Sequence, residues 1–254
     1  MPRDWYDSPC WEQDRQEVID WANRLLRGDF GNFVVLDTET TGLQNPEIIE
    51  IAVVSKYGSS MINTLVKNRK EVEPGAYGVH GISQDELNEA PDFYDIYPRL
   101  KNVLEQNLVI IYNSGFDVKA LFNTCKSWGL PRIKLNSICV MHKYATYFGA
   151  WHSYYGNYAW QKLPNASHRA YGDAKATYEL IKMMASGNDL GRKFDYSTRA
   201  DIDLFPPLQI ACKWQPFLKI NFELFLHEDK KNARYSTASK EFKLSYPNFY
   251  WLRK

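Results

Sequence analysis

Four cysteines in 254 residues, Cys10, Cys125, Cys139 and Cys212, stand too far apart for a C-x-x-C pair, a zinc-finger cluster or a disulfide framework. A reducing compartment, the cytoplasm, is therefore expected. Long apolar runs are missing as well: no stretch approaches the ~18 residues of a membrane helix. The opening MPRDWYDSPC lacks the apolar segment of a secretory leader. A soluble intracellular protein with no membrane association is the expectation. Excess charge is absent too. With 31 Lys/Arg against 30 Asp/Glu the formal charge is +1, which excludes coating a polyanion through a general positive field. Any contact with nucleic acid must be local. Internal repeats and low-complexity tracts are also lacking.

What is present is a chain with 44% hydrophobic residues, enough for a full core. Ser8-Pro9 caps an opening helix over 9–27, with Val18, Ile19, Ala22, Leu25 and Leu26 at helical spacing and Gly28 as a stop. FVVLDT, IIEIAVV and MINTLV, separated by turn-rich breaks, read as three successive antiparallel strands. Ser83 and Glu86 form a capping box for a helix whose stripe, Phe93, Ile96, Leu100, Val103 and Leu104, continues to about Gln106, with Pro98 as a possible kink. LVIIY is a buried strand, followed by a helix through Val118, Leu121, Cys125 and Trp128 that ends at Gly129 and Pro131. Residues 138–148 read as a weak helix and Ala174, Thr177, Ile181 and Met184 as a firmer one. Strands first, then strands alternating with helices, predict an α/β fold: a mixed sheet flanked by helices.

Three short acidic motifs punctuate this pattern: LDTETTG with Asp37 and Glu39, YNSGFD ending at Asp117, and HRAYGD from His168 to Asp173. Side chains two apart on a strand share a face, so Asp37 and Glu39 can grip one cation between them or two side by side. Oxygen ligands suit Mg²⁺ or Mn²⁺. Asp117 falls where strand becomes helix, and His168 precedes Asp173 by five positions, which suits a loop imidazole leaning over a helix-borne carboxylate. Read singly, each has an ordinary role: a solvated strand end, a helix N-terminal carboxylate, a turn residue, an exposed loop histidine. Jointly, four carboxylates and one imidazole, each at an element edge, can hold two divalent ions and deprotonate a water.

In these three motifs, and in the HGI at 80–82, the chain resembles the DnaQ-like 3′→5′ exonucleases of the DEDDh type, over about residues 33–186. The resemblance implies a ribonuclease-H-like fold in which Asp37, Glu39, Asp117 and Asp173 bind two metal ions, Mg²⁺ or Mn²⁺, and His168 activates the attacking water. It implies release of nucleoside 5′-monophosphates from a 3′ end; the substrate expected is single-stranded nucleic acid, DNA in preference to RNA. Thr40 and Leu43 lie where that family's backbone and a side-chain wedge meet the terminal nucleotide, and Asn113 near the penultimate one. His80 reads either as a contact to the terminal nucleotide or as a residue of the following helix start, and Leu43 equally as packing under its turn. The alternatives are an RNA 3′-end trimming enzyme and an inactive binding module. One departure stands out: only PNAS separates AWQKL from HRAYGD, where family members commonly have a longer helical stretch, so the His168 loop is closely tethered.

Eight aromatics in the 27 residues 142–168 either pack a loop-rich lobe or line a single-strand channel. The organisation expected is an exonuclease domain, 1–187, and a small β-rich appendage, 188–254. That appendage carries 13 aromatics and twelve Lys/Arg against eight Asp/Glu, and an alternating segment at 219–226 reads as half of a hairpin. It either meets a protein partner or a second copy of the chain, or covers the core.

Overall fold

A computed structural model describes residues 11–152, 155–188, 233–236 and 241–244. The elements run α1 (Trp11–Arg27), β1 (Phe33–Thr40), β2 (Ile48–Ser55), β3 (Ser60–Leu65), α2 (Pro74–His80), α3 (Gln84–Asn88), α4 (Phe93–Glu105), β4 (Leu108–Ile111), α5 (Ser114–Ser127), β5 (Asn136–Cys139), α6 (Val140–Phe148), β6 (Trp151–His152), β7 (Asn157–Tyr158), α7 (Ala170–Ser186), β8 (Ala233–Ser236) and β9 (Glu241–Leu244). The main sheet has the order β3-β2-β1-β4-β5, with β1, β2 and β3 antiparallel and β4 and β5 parallel to β1. It is the mixed, helix-flanked sheet that the strand order foretold.

Two compact units are distinguished: Glu17–Tyr144 with Trp160–Asn188, and Met1–Gln16 with Ala145–Ala159 and Asp189–Lys254. The first holds the sheet. Val34 and Leu36 of β1, Val109 and Ile111 of β4, Leu100 and Leu104 of α4, and Leu121 of α5 form one apolar cluster, almost entirely removed from water. The alternate residues of β1, Val35, Asp37 and Glu39, share the other face, and α7 packs on β1 and β2. All but the last residue of β2 are buried, which is why IIEIAVV reads as a continuous apolar run rather than an alternation. Asn23 Nδ2 of α1 donates to the Ala185 carbonyl at 2.9 Å, tying α1 to the end of α7. In the second unit, the Trp11 indole donates to the Thr146 carbonyl at 3.1 Å and Arg15 lies 4.4 Å over the Tyr147 ring, beside the paired β6 and β7.

Three elements differ from the sequence expectation. The helix expected from Ser83 to Gln106 is two: the Ser83–Glu86 capping box starts the short α3, and α4 begins anew at Phe93. Pro91 explains the break, since it disfavours helical geometry at Ala90. Pro98 sits within α4. The helix expected at 138–148 is present as α6 from Val140, but the two residues before it belong to an unforeseen strand, β5, whose pairing with β4 is set by the sheet edge rather than by its own pattern. Finally, α2 was not foreseen: Pro74 at its start is a helix signal, but Gly75 and Gly78 hide it.

Of the aromatics at 142–160, Tyr144 and Tyr147 are buried and pack, whereas Tyr155 and Trp160 are exposed; Tyr154 lies outside the described residues. The alternating segment at 219–226 also lies outside them, while the strands seen in the appendage, β8 and β9, pair with each other. Among the described residues no helix is long and apolar enough to cross a membrane.

Candidate metal centre and active site

β1 ends in the residues that build the site. Because Asp37 and Glu39 alternate with Thr38, they leave the strand on the face toward α7, and Thr38 leaves on the face toward α5. The first turn of α7 carries Asp173. Oxygen atoms of Asp37, Glu39 and Asp173 all lie within 4.8 Å of one another. Thr38 meets Asp117, in the first turn of α5: its hydroxyl donates to Asp117 Oδ1 at 2.8 Å and fixes that carboxylate. The fourth acid is thus held beside the other three rather than within their close set. A donor set of carboxylate oxygens alone, without thiolate, fits a hard divalent cation.

The electrostatics say the same. Burial pushes Asp37 well above the usual carboxylate range, helped by the negative charges of Asp117, Asp173, Glu39 and Glu50. Burial, then Asp173, Glu50 and Asp117, raise Glu39 to about 8, against a smaller opposing effect of Arg169. Asp117 is raised to about 7 by burial, although the Thr38 hydrogen bond favours its charged form. Such crowding of acids is unfavourable until a cation arrives.

The loop before α7 is fastened at both sides of His168. Ser167 donates to Asp173 Oδ1 through its backbone N–H at 2.6 Å and its hydroxyl at 3.1 Å. Gly172 permits this approach, since a Cβ there would collide with the Ser167 hydroxyl. On the other side Arg169 grips Glu50, with Nε at 3.1 Å from both carboxylate oxygens and an Nη2 contact of 2.7 Å to Oε1. Glu50 Oε2 also accepts the Ala170 N–H at 2.8 Å, satisfying a free donor at the start of α7. Glu50 stands directly across from Glu39 in the β1–β2 pairing. Between these two anchors His168 is exposed, at φ 55°, a left-handed conformation uncommon outside glycine.

Of the remaining sequence candidates, Thr40 is buried and its hydroxyl donates to the Gly42 carbonyl at 3.0 Å. The close approach that Gly42 allows is used by the chain itself: the Glu73 carboxylate occupies the space a Cβ would need. Leu43 is 78% exposed, which rules out packing under the turn. Asn113 precedes α5 with its side chain exposed and forming no cap hydrogen bond. His80 fills the second of the two roles considered for it, at the entry to the following helix. Its Nδ1 accepts the Ile82 N–H at 3.0 Å, fixing the chain after α2, so the neutral ring carries its proton on Nε2. That nitrogen is buried and makes no hydrogen bond among the described residues. Burial lowers the ring's pKa; the Thr40 backbone opposes the shift from nearby, without the geometry of a full hydrogen bond.

Glu50, Arg169, Thr38 and Ser167 were missed in the sequence. Only Glu50 left a signal: a lone acid inside a fully apolar strand run needs a buried partner.

Residues 34–181 match the RNase T family model, described as exonuclease. An uncharacterized exonuclease of Escherichia phage 186 is 33% identical over 172 residues, 61% of this chain and 88% of the phage protein. The DNA polymerase III subunit epsilon of Buchnera aphidicola (Schizaphis graminum) is 34% identical over 96 residues, 34% of this chain and 41% of that subunit. Among solved structures, the zinc-bound complex of E. coli exonuclease I with single-stranded DNA shares the fold, with a TM-score of 0.50 at 15% identity over 65% of this chain and 42% of that one. The chain belongs to the DnaQ-like DEDDh 3′→5′ exonuclease family.

Proposed function

For this member of the exonuclease family we propose that the substrate is a single-stranded 3′ end, DNA in preference to RNA, and the product a nucleoside 5′-monophosphate. One observation carries the reading: the convergence of Asp37, Glu39 and Asp173 oxygens within 4.8 Å at the end of β1. Asp37, Glu39, Asp117 and Asp173 hold two ions, Mg²⁺ or Mn²⁺. When bound, such ions lower the pKa of a water and stabilise charge on the attacking and leaving oxygens of an in-line displacement. His168 takes the proton of the attacking water as general base, its loop anchored through Arg169 and Ser167. Thr40, Leu43, His80 and Asn113 contact the last two nucleotides: the exposed Leu43 wedges beside the terminal base, and His80 Nε2–H is a donor awaiting an acceptor. Residues 1–187 form the exonuclease domain, and the aromatic-rich 188–254 is an extension that meets a protein partner or a second copy of the chain.

The test offers 5′-labelled single-stranded DNA, duplex DNA and RNA to wild type and Asp37→Ala with Mg²⁺ or Mn²⁺. Metal-dependent shortening from the 3′ end is expected, with a loss of about 10²–10³-fold in the variant, the scale lost when electrostatic stabilisation of the transition state is removed. Shortening from the 5′ end, or equal rates with chelator, overturns the proposal; faster attack on RNA reverses only the substrate order.

A further inference from the structure

A second concave surface lies along α5, outside the acid cluster. Two adjoining hollows, of about 310 and 430 Å³, share the flank of the helix and the segment leading into β5. Among the described residues their charged lining is Lys119, Arg132 and Lys134, with no carboxylate. That is a local surplus in a chain whose formal charge is +1. Glu105 accepts the Lys134 backbone N–H and is paired with Lys101, and Asp117 is buried with its carboxylate accepting from Thr38. Phe122 is 43% exposed in this hollow and Arg132 lies over its ring at 5.6 Å. An exposed aromatic ring flanked by cations is the composition of a surface on which bases stack while phosphates are neutralised.

The hollow also reaches the start of α5. Ser114 and Gly115 line one end of it, in the turn of α5 that carries Asp117. The space around Gly115 is open, so a phosphate can approach the backbone at the positive end of the helix dipole. From Ser114 to Phe122 the helix advances about 12 Å, room for about three stacked nucleotides at ~3.4 Å each.

We propose that this groove carries the substrate strand 5′ of the nucleotides held at the acid cluster, with Lys119, Arg132 and Lys134 on its phosphates and Phe122 under a base. The inference rests on the nuclease reading above and deepens it: the site is a track for a strand rather than a pocket for a free nucleotide.

The experiment compares wild type with Lys119→Ala/Arg132→Ala/Lys134→Ala and with Phe122→Ala on a labelled ten-nucleotide strand and on the p-nitrophenyl ester of thymidine 5′-monophosphate. For both variants KM on the strand rises about ten-fold, while the change on the ester stays below about two-fold. Binding of the same strand in chelator, followed by fluorescence anisotropy, weakens in parallel. The slope of log affinity against log salt falls by about 2 for the triple variant, at ~0.7 per lost phosphate contact. Unchanged KM and salt slope overturn the groove, as does an equal loss on strand and ester. If wild type cleaves neither substrate, the nuclease reading fails, and the anisotropy in chelator still decides whether the groove binds a strand. Lys119→Glu, a single exposed change, repeats the measurement should the triple variant fold poorly; unweakened binding by it also counts against the groove.

Discussion

In the absence of a cation, Glu39 keeps its proton to about pH 8 because it is buried beside Asp173, Glu50 and Asp117, whereas the unfolded chain releases it near 4.5. Between those values the native state holds a proton that the unfolded state has lost. Stability of the metal-free protein therefore falls as pH rises through that window, and the whole cost is present above it. Glu39→Gln keeps the shape and removes the titration. Calorimetry without metal should find wild type and variant unfolding together near about pH 4, and the variant several degrees higher near about pH 8.5, at 2–4 °C per kcal/mol for a domain of ~150–250 residues. Parallel curves at every pH would mean that the native state holds no extra proton on Glu39. A residue central to the proposed chemistry thus weakens the fold that carries it.

At the scale of elements, the start of α7 depends on a strand 119 residues away in sequence. Glu50, with a side chain 6% exposed, needs the half-exposed Arg169, and the pair holds the turn carrying His168. Arg169→Ala leaves that acid with the Ala170 N–H alone and should cost about 1–2 kcal/mol, less than the 3–5 of a fully buried pair because Arg169 faces solvent. Adding Glu50→Gln removes the stranded charge, so the double variant should recover thermal stability without recovering turnover. Arg169→Lys, with charge but no two-pronged grip, should restore only part of kcat. A KM-only effect in Arg169→Ala would argue against positioning of His168. The same pair shows why the site was half legible in the sequence. Asp37 and Glu39 declare themselves locally, through strand alternation, and Asp117 and Asp173 through their helix starts. Glu50 and Arg169 are visible only once the sheet brings them together. Strands β1 to β4 were legible because their apolar runs are bounded by turns. β5 was not, since NSIC has no pattern of its own and becomes a strand by pairing at the edge of β4, and α2 was hidden by its glycines.

For the whole molecule, near-neutral charge conceals a strong local asymmetry: acids at the end of β1 and cations along α5. Acids that repel one another in the native state make folding and metal binding one linked equilibrium. A cation at 100 times its dissociation constant adds about 2.7 kcal/mol to native stability, or about 5–10 °C at the sensitivity of a domain this size. The ion must displace the protons that burial holds on Glu39, to about 8, and on Asp117, to about 7. Its effect should therefore be larger near about pH 8 than near about pH 6. Thermal unfolding followed through the eight tryptophans, with Mg²⁺ or Mn²⁺ titrated at both pH values, reads this directly. Asp37→Asn should lose most of the gain, because it removes the charge of one of the three converging carboxylates while relieving the repulsion the ion would otherwise neutralise. An equal gain in wild type and variant would place the stabilising ion elsewhere on the protein and remove metal binding at the end of β1 as the source of activity.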